Sequence, residues 1–176
     1  MGGSYQNNQN RLKMIKISPT DNYKAIQDIA GKTWPVTYGA ILSSEQIQYM
    51  FSMMYDLEAL KNQAEAKNHH FIIAGEDGNF LGFASYEFDY QGEPKTKIHK
   101  IYILPDTQGS GIGKKLLYYI AEKAKASGQE FLSLNVNRFN EAVHFYNKMG
   151  FEKVGEEDIN IGSGYLMEDF IMEKKL

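Results

Sequence analysis

The sequence predicts an α/β protein with a mixed, mostly antiparallel sheet of about seven strands and helices on both faces. The chain has 176 residues, of which 43% are hydrophobic and 13% aromatic, so it is the size of a single domain with a proper core. Apolar runs bounded by Gly or Pro alternate with segments of helical periodicity. Their order is one strand, two or three helices, three strands, a helix, a strand, a helix and two strands, which is typical of helices layered on a sheet.

The N-terminal part predicts a short strand and three helices. The first helix is expected to end near Lys32, because Pro35 disfavours helical geometry in the residue before it. The second is expected to begin at a serine whose hydroxyl caps free backbone amides. In chain order, the predicted elements are a strand at 13–18 and helices beginning at Asp21, at Ser43 or Ser44, and near Asp56.

The second half predicts the rest of the sheet, with two helices inserted. Two apolar runs flank Glu76-Asp77-Gly78-Asn79, a sequence typical of a hairpin turn. Between Gly111 and Ser127 the apolar residues repeat on one helical face, and Gly128 ends that helix. The remaining predicted elements are strands at 95–104, 130–136, 151–159 and 164–173 and a short helix capped by Asn140.

Composition excludes several classes of protein. The absence of cysteine excludes a disulfide framework, a thiolate zinc site and a cysteine nucleophile. A net charge of -3 argues against a nucleic-acid partner. No apolar run is long enough to cross a bilayer and the polar start has no signal sequence, so we expect a cytoplasmic protein without a membrane partner. Residues 1–10 are expected to be a disordered tail or a cloning remnant, and 11–176 the domain. His69-His70 is too isolated to predict a metal site.

The sharpest motif is the glycine-rich loop from Gln108 to Lys114, which lies between a strand and a strongly amphipathic helix. Glycines allow close backbone approach, and the unpaired amides and dipole of a helix start favour phosphate. A Walker A loop would need Gly at 108 and Ser or Thr at 115, and a dinucleotide fingerprint would need Gly at 114; this chain has neither. The pattern that fits is Gln-x-x-Gly-x-Gly.

This pattern, following IYILPDT, resembles the acetyl-CoA pyrophosphate loop of the GNAT superfamily of N-acetyltransferases. About thirty residues later, the segment from Asn140 to Phe151, NEAVHFYNKMGF, resembles the second signature of that family. The element order from about residue 13 to 174 is also similar. Within the family, IHKIYILPDTQGSGIGKKLL and the ending EDFIMEKKL look most like bacterial polyamine (spermidine or spermine) acetyltransferases.

The resemblance implies acetyl-CoA as co-substrate, with its pyrophosphate on the loop amides and its pantetheine arm along the preceding strand. Lys114, Lys148 and Arg138 are candidates for the 3'-phosphate, or they are ordinary solvated charges. Asn140 is expected to cap its helix, to contact the cofactor, or both. The residues expected to bind acetyl-CoA are Ile101, Tyr102, Ile103, Gln108, Gly109, Ser110, Gly111, Ile112, Gly113, Lys114, Asn140 and Lys148.

Two side chains are predicted to be catalytic. The resemblance implies that Tyr146 is the general acid that protonates the leaving thiolate. It also shares a helical stripe with Val143 and Met149, so a core tyrosine is the alternative. His99 is the leading candidate base because it alternates with Ile101 on one strand and could face the cleft. The alternative for His99 is an ordinary surface position. The base would then be Glu87, Asp89 or a chain of waters.

On the acceptor side, the resemblance implies that Trp34 and Tyr38 line the substrate pocket, with core packing as the alternative for Trp34, and Glu87 is also expected to contact the substrate. Residues 151–176 carry seven acids and three lysines, a balance that favours a cationic acceptor. The predicted reaction is acetyl transfer to a primary amine by direct attack, with a polyamine or another small amine as the leading acceptor. A protein N-terminus or lysine is the second choice. A non-catalytic acyl-CoA sensor is the rival from another class, and a homodimer is left open.

Overall fold

The computed structural model describes residues 6–7 and 14–176. Seven strands form one sheet in the order β1-β2-β3-β4-β5-β7-β6, and only the β4–β5 pair is parallel. The strands are β1 Lys16–Pro19, β2 His70–Glu76, β3 Asn79–Glu87, β4 Lys95–Ile103, β5 Phe131–Asn137, β6 Glu152–Gly162 and β7 Tyr165–Lys175. The helices are α1 Tyr23–Tyr38, α2 Ser44–Tyr55, α3 Leu57–Ala66, α4 Ile112–Ala126 and α5 Ala142–Lys148. The predicted fold class is confirmed.

The prediction for residues 1–10 falls mostly outside the described residues.

Two hydrophobic cores lie on opposite faces of the sheet. Helices α1, α2 and α3 cover one face around Trp34, Leu60 and Phe83. Helices α4 and α5 cover the other around Leu116, Leu134 and Tyr146. Within the described part of the chain, no helix is both long and apolar enough to span a lipid bilayer.

Helix α1 is longer than the sequence predicted. It begins after Asn22, whose side chain accepts a hydrogen bond from the Ala25 amide, and it continues past Pro35 to Tyr38. A proline inside a helix costs about 3 kcal/mol. Trp34 and Tyr38 are only 1% and 5% exposed, and burying two such side chains contributes about 1.5–3 kcal/mol each. Burial therefore outweighs the lost backbone bond, and the predicted end at Lys32 was wrong.

The sheet splits between β4 and β5. The two strands pair only from Lys95 opposite Phe131 to Ile98 opposite Leu134, whereas β5 pairs with β7 along its whole length. Beyond Ile98, strand β4 bulges at His99, since Ile98 lies opposite Tyr86 and Lys100 opposite Ser85. The facing edges of β4 and β5 are consequently free of strand pairing from this point on.

Candidate functional site

Helix α4 begins with unpaired backbone amides. Gly111 caps the helix with φ at +89°, and the Lys115 amide makes the first helical bond, 3.1 Å to the Gly111 carbonyl. Within residues 14–176, the amides of Ile112, Gly113 and Lys114 donate to no backbone or side-chain acceptor. A Cβ at Gly109, where φ is +82°, would meet nothing within 4 Å. This open, electropositive cradle fits an anionic pyrophosphate.

Gly113 serves a further purpose in this loop. A Cβ there would lie 2.9 Å from Ile103 Cδ1 and 3.3 Å from Phe145 Cζ. The missing side chain therefore lets α4 pack closely against β4 and α5. The Gly113 amide is one of the three amides without an acceptor. A side chain at this position would nevertheless disturb the packing of α4 more directly than it would disturb anion binding.

The other predicted loop residues lie around the same helix start. The Gln108 side chain donates to the Ile103 carbonyl at the end of β4 at 3.3 Å, and the Ser110 hydroxyl donates to the Thr107 carbonyl within the loop. Ile112 is buried in the core. Lys114 and Lys148 are exposed, with the Lys114 ammonium 5.6 Å from the Tyr118 ring centroid.

The end of β4 leads from the split to this loop. Ile101 and Ile103 pack into the core beneath α4, while Tyr102 packs on the opposite face, its hydroxyl 2.9 Å from that of Tyr38. Because β5 has diverged here, the backbone edge of β4 on that side is free. An extended chain can hydrogen-bond to such an edge, as an added strand does.

Tyr146 lies on α5, 7% exposed, between the rings of Phe145 and Phe151 at 5.4 and 5.7 Å. Its hydroxyl has no hydrogen-bond partner among the described residues, and it is not one of the fully enclosed polar atoms. Burial, with Tyr38 close by, raises the pKa of Tyr146 above its usual value. The phenol is thus a core side chain that stays protonated at neutral pH. Asn140 accepts from the Ala142 amide at 2.9 Å and caps this helix.

His99 lies in a cluster that includes a residue the sequence analysis missed. Its Nε2 is 2.8 Å from Glu87 Oε2, and its ring stacks on His69 with centroids 3.9 Å apart and planes 10° apart. Burial is the main cause that lowers the pKa of each histidine to about 3, and nearby lysines add to it. Both imidazoles are therefore neutral at pH 7. Strand register and the bulge create this cluster, so no local sequence signal marked His69.

His69, Glu87 and His99 also bring three possible metal-ligating atoms within 4.8 Å of one another. The lone pairs of two parallel rings lie in parallel planes, so they do not converge on one ion unless a ring rotates. Lys67 and Lys100 add positive charge around both histidines. The burial and positive charge that lower the pKa of both histidines also disfavour a bound cation.

The aromatic residues predicted for the acceptor pocket occupy different places. Trp34 is buried, with Tyr38, Tyr55 and Tyr102 at 4.7, 5.5 and 6.0 Å between ring centroids, and its Nε1 has no partner among the described residues. Tyr38 stands at the junction of α1 and β4. The structure thus brings Tyr38 close to Tyr102 and encloses the Trp34 indole in the core.

The acidic excess of the C-terminal strands is partly neutralised within the sheet. Arg138 contacts Asp158 and lies 3.6 Å from Glu156, and Lys95 lies 2.6 Å from Glu173. Glu157 forms no ion pair within 4.0 Å in the described residues and instead accepts from the Asn135 amide at 3.0 Å. Charge alone therefore favours a cationic acceptor less than the sequence count suggested.

Comparison with known proteins gives concordant matches. The Acetyltransferase (GNAT) family model matches residues 23–151. The chain is 30% identical over 169 residues to a spermidine N(1)-acetyltransferase of Thermoplasma acidophilum, covering 93% of this chain and 97% of that protein. It is 34% identical over 92 residues to a streptothricin acetyltransferase of Streptomyces lavendulae, of which it spans only about half, 48%.

The fold has close structural counterparts. The PaiA N-acetyltransferase of Thermoplasma acidophilum, solved in complex with coenzyme A, superposes with a TM-score of 0.77 at 27% identity, covering 92% of this chain and 99% of that one. A GCN5-related N-acetyltransferase from Rhodopseudomonas palustris gives the same TM-score at 21% identity, covering 92% and 95%. With the free helix amides and the split sheet, these matches lead to one conclusion: the chain belongs to the GNAT acetyltransferase family and is an N-acetyltransferase that uses acetyl-CoA as co-substrate.

Proposed function

We propose that the protein transfers acetyl from acetyl-CoA to a primary amine of a polyamine, by direct attack within a ternary complex. The observation that carries this proposal is the split between β4 and β5. It has the free amides of α4 on one side and a polar sheet face with Glu157 and Asp169 on the other. The full-length similarity to a spermidine acetyltransferase supports the choice of acceptor.

The chain's own groups provide for cofactor binding. The amides of residues 112–114 hold the pyrophosphate, and Gln108 and Ser110 fix the loop that presents them. The free edge of β4 from Ile101 to Ile103 pairs with the pantetheine arm, and a backbone NH there donates to the thioester oxygen. Acetyl-CoA supplies the acyl group as a thioester, and the chain has no cysteine to accept it covalently.

Tyr146 donates a proton to the departing thiolate. A phenol whose pKa is raised by burial remains neutral and protonated through the physiological pH range, so the proton is always available for donation. The raised pKa makes proton transfer from Tyr146 less favourable if the thiolate keeps its pKa in water. Desolvation in the cleft also disfavours the charged thiolate and so raises the pKa of the CoA thiol. This second shift offsets the effect of the raised phenol pKa on the proton transfer.

His99 and Glu87 receive the proton that the attacking amine must lose. Neutral His99 donates from Nε2 to Glu87 Oε2, which leaves the Nδ1 lone pair to accept. As Nδ1 takes a proton, the Nε2 proton can pass to the Glu87 carboxylate and from there to solvent. The pair therefore works as a relay that does not need a stable imidazolium.

An amine panel tests the proposal. The protein is mixed with acetyl-CoA and spermidine, spermine, butylamine, a neutral amino-acid amide or an alanyl peptide, and CoA release is followed with product mass. We expect kcat/KM to be highest for spermidine or spermine. A peptide N-terminus acetylated better than every polyamine would contradict the acceptor and leave the acetyltransferase assignment intact.

A further inference from the structure

Lys97 places a buried ammonium at the point where the sheet divides. It lies opposite Ser133 in the short parallel pairing of β4 with β5, and the residue is 8% exposed. Its Nζ donates to Asn135 Oδ1 and lies 5.2 Å from the centroid of the Tyr90 ring. A primary ammonium thus has an aromatic face on one side and an amide oxygen on another.

Two carboxylates complete these surroundings without contacting Lys97. Asn135 Nδ2 donates to Glu157 Oε2 at 3.0 Å and to Asp169 Oδ2 at 3.3 Å. Among the described residues, no ion pair within 4.0 Å joins Lys97 to either carboxylate, although both attract it at longer range. The amide therefore links one cation to two anions.

This arrangement is energetically costly as it stands. Asp169 is 5% exposed, and its Oδ1 is buried with no partner among the described residues. A buried carboxylate oxygen without a hydrogen-bond partner destabilises the folded protein. Burial raises the pKa of Asp169 and lowers the pKa of Lys97, so each charged form is disfavoured. A second cation beside these carboxylates would relieve part of that cost.

We propose that Tyr90, Asn135, Glu157 and Asp169 form an ammonium site of the acceptor pocket, which Lys97 fills until a polycationic acceptor displaces it. The inference rests on the proposed function and names the groups that select the acceptor. A monoamine brings only its reacting nitrogen and leaves Lys97 in place. A polyamine brings a second ammonium that can take over the aromatic face and the carboxylates. Lys97 thereby acts as a specificity-determining residue.

Calorimetry with spermidine, in the absence of acetyl-CoA, tests this site. Lys97→Met removes the internal cation while keeping the side chain's length. Lys95→Met is the matched control, since Lys95 lies two residues earlier on β4 and is paired with Glu93 and Glu173. We expect Lys97→Met to bind spermidine at least 10-fold more tightly than wild type, and Lys95→Met to bind within 2-fold of wild type. Equal or weaker binding by a folded Lys97→Met protein would overturn the proposal.

A second arm does not depend on the identity of the acceptor. Lys97→Ala, or Lys97→Ser if the alanine variant does not fold, is heated with n-butylammonium or with neutral butanol. We expect butylammonium, but not butanol, to raise the Tm of the Lys97→Ala protein. Neither compound should change the Tm of wild type or of the double variant Lys97→Ala with Glu157→Gln. Failure of wild type to acetylate any polyamine would reject the proposed acceptor, whereas an unresponsive Lys97→Ala protein would reject the ammonium site.

Discussion

The hydroxyls of Tyr38 and Tyr102 lie 2.9 Å apart and tie the end of α1 to the free-edged part of β4. The two residues are 64 positions apart in the chain, and Trp34 packs against both rings. Burial raises the pKa of both phenols, so this hydrogen bond persists across the working pH range. The segment of β4 proposed to hold pantetheine is therefore fixed from the acceptor side as well as by the core beneath α4.

Tyr146→Phe tests the general acid. Only a hydroxyl without a partner is removed, so we expect turnover to fall about 100-fold or more while the dissociation constant of acetyl-CoA stays within 2-fold. Tyr118→Phe, on the exposed side of α4, is the control. Because the pKa of Tyr146 is raised, its ionisation should cause no loss of wild-type rate up to about pH 10. Wild-type turnover by Tyr146→Phe would return the residue to a purely structural role.

The glycine loop makes separate predictions at two positions. Gly109→Val adds a side chain at the mouth of the cradle, where φ is positive, so we expect acetyl-CoA affinity to fall at least 10-fold by calorimetry. Gly128→Val carries a similar positive φ at the far end of α4 and should leave that affinity unchanged. Gly113→Val should instead lower Tm, since its Cβ would meet Ile103 and Phe145. Tight acetyl-CoA binding by Gly109→Val would contradict the loop assignment.

The stacked histidines predict loss of stability in acid. Folding lowers the pKa of His69 and His99 from 6.5 to about 3, so below about pH 6.5 the unfolded chain binds protons that the folded protein does not. Their contribution to stability is present above this pH and is lost as the pH falls toward 3. The slope is about 1.4 kcal/mol per pH unit for each extra proton bound by the unfolded state.

Urea unfolding between pH 7 and pH 4 measures this slope. We expect His69→Gln and His99→Gln each to flatten the decline in unfolding free energy. His144→Gln is the control, because His144 is exposed on α5. An equally steep decline in all four proteins would show that the pair does not titrate as described.

Glu157→Gln and Glu156→Gln distinguish two neighbouring carboxylates. Glu156 is already engaged by Arg138 and Lys153, whereas Glu157 faces the Asn135 amide. We expect Glu157→Gln to lower kcat/KM for spermidine about 5-fold or more, with a smaller effect on butylamine and none on acetyl-CoA binding. The effect should shrink as salt rises from about 50 to 500 mM. A larger loss from Glu156→Gln would place the acceptor elsewhere.

Much of the fold could be predicted because its signals are local. The hairpin turn at 76–79, the apolar stripe of α4 and the loop from Gln108 to Gly113 each lie in one stretch of chain. The end of α1 was mispredicted because Pro35 is a local signal, whereas the burial that overrides it depends on the rest of the protein.

The site residues that the sequence did not predict were missed for one common reason. His69 meets His99 only through the pairing of β2 and β4 with β3 and the bulge in β4. Lys97 meets Asn135, and Asn135 meets Asp169, through the pairing of β5 with β4 and β7. Register between distant strands leaves no mark in the spacing of residues, so these contacts require the structure.

The order of the strands also bears on how the protein folds. Strands β2, β3 and β4 pair with antiparallel neighbours in the chain, as do β6 and β7, whereas β1 must find β2, and β5 must find β4 and β7, across long stretches of chain. Hairpin-like pairings close quickly, and pairings of high sequence separation are slow because loop closure costs entropy first. We expect β5 to dock late, joining two preformed pieces along the short seam at 95–98. Catalytic competence would then arrive at the final step of folding, because the cleft exists only once that seam has closed.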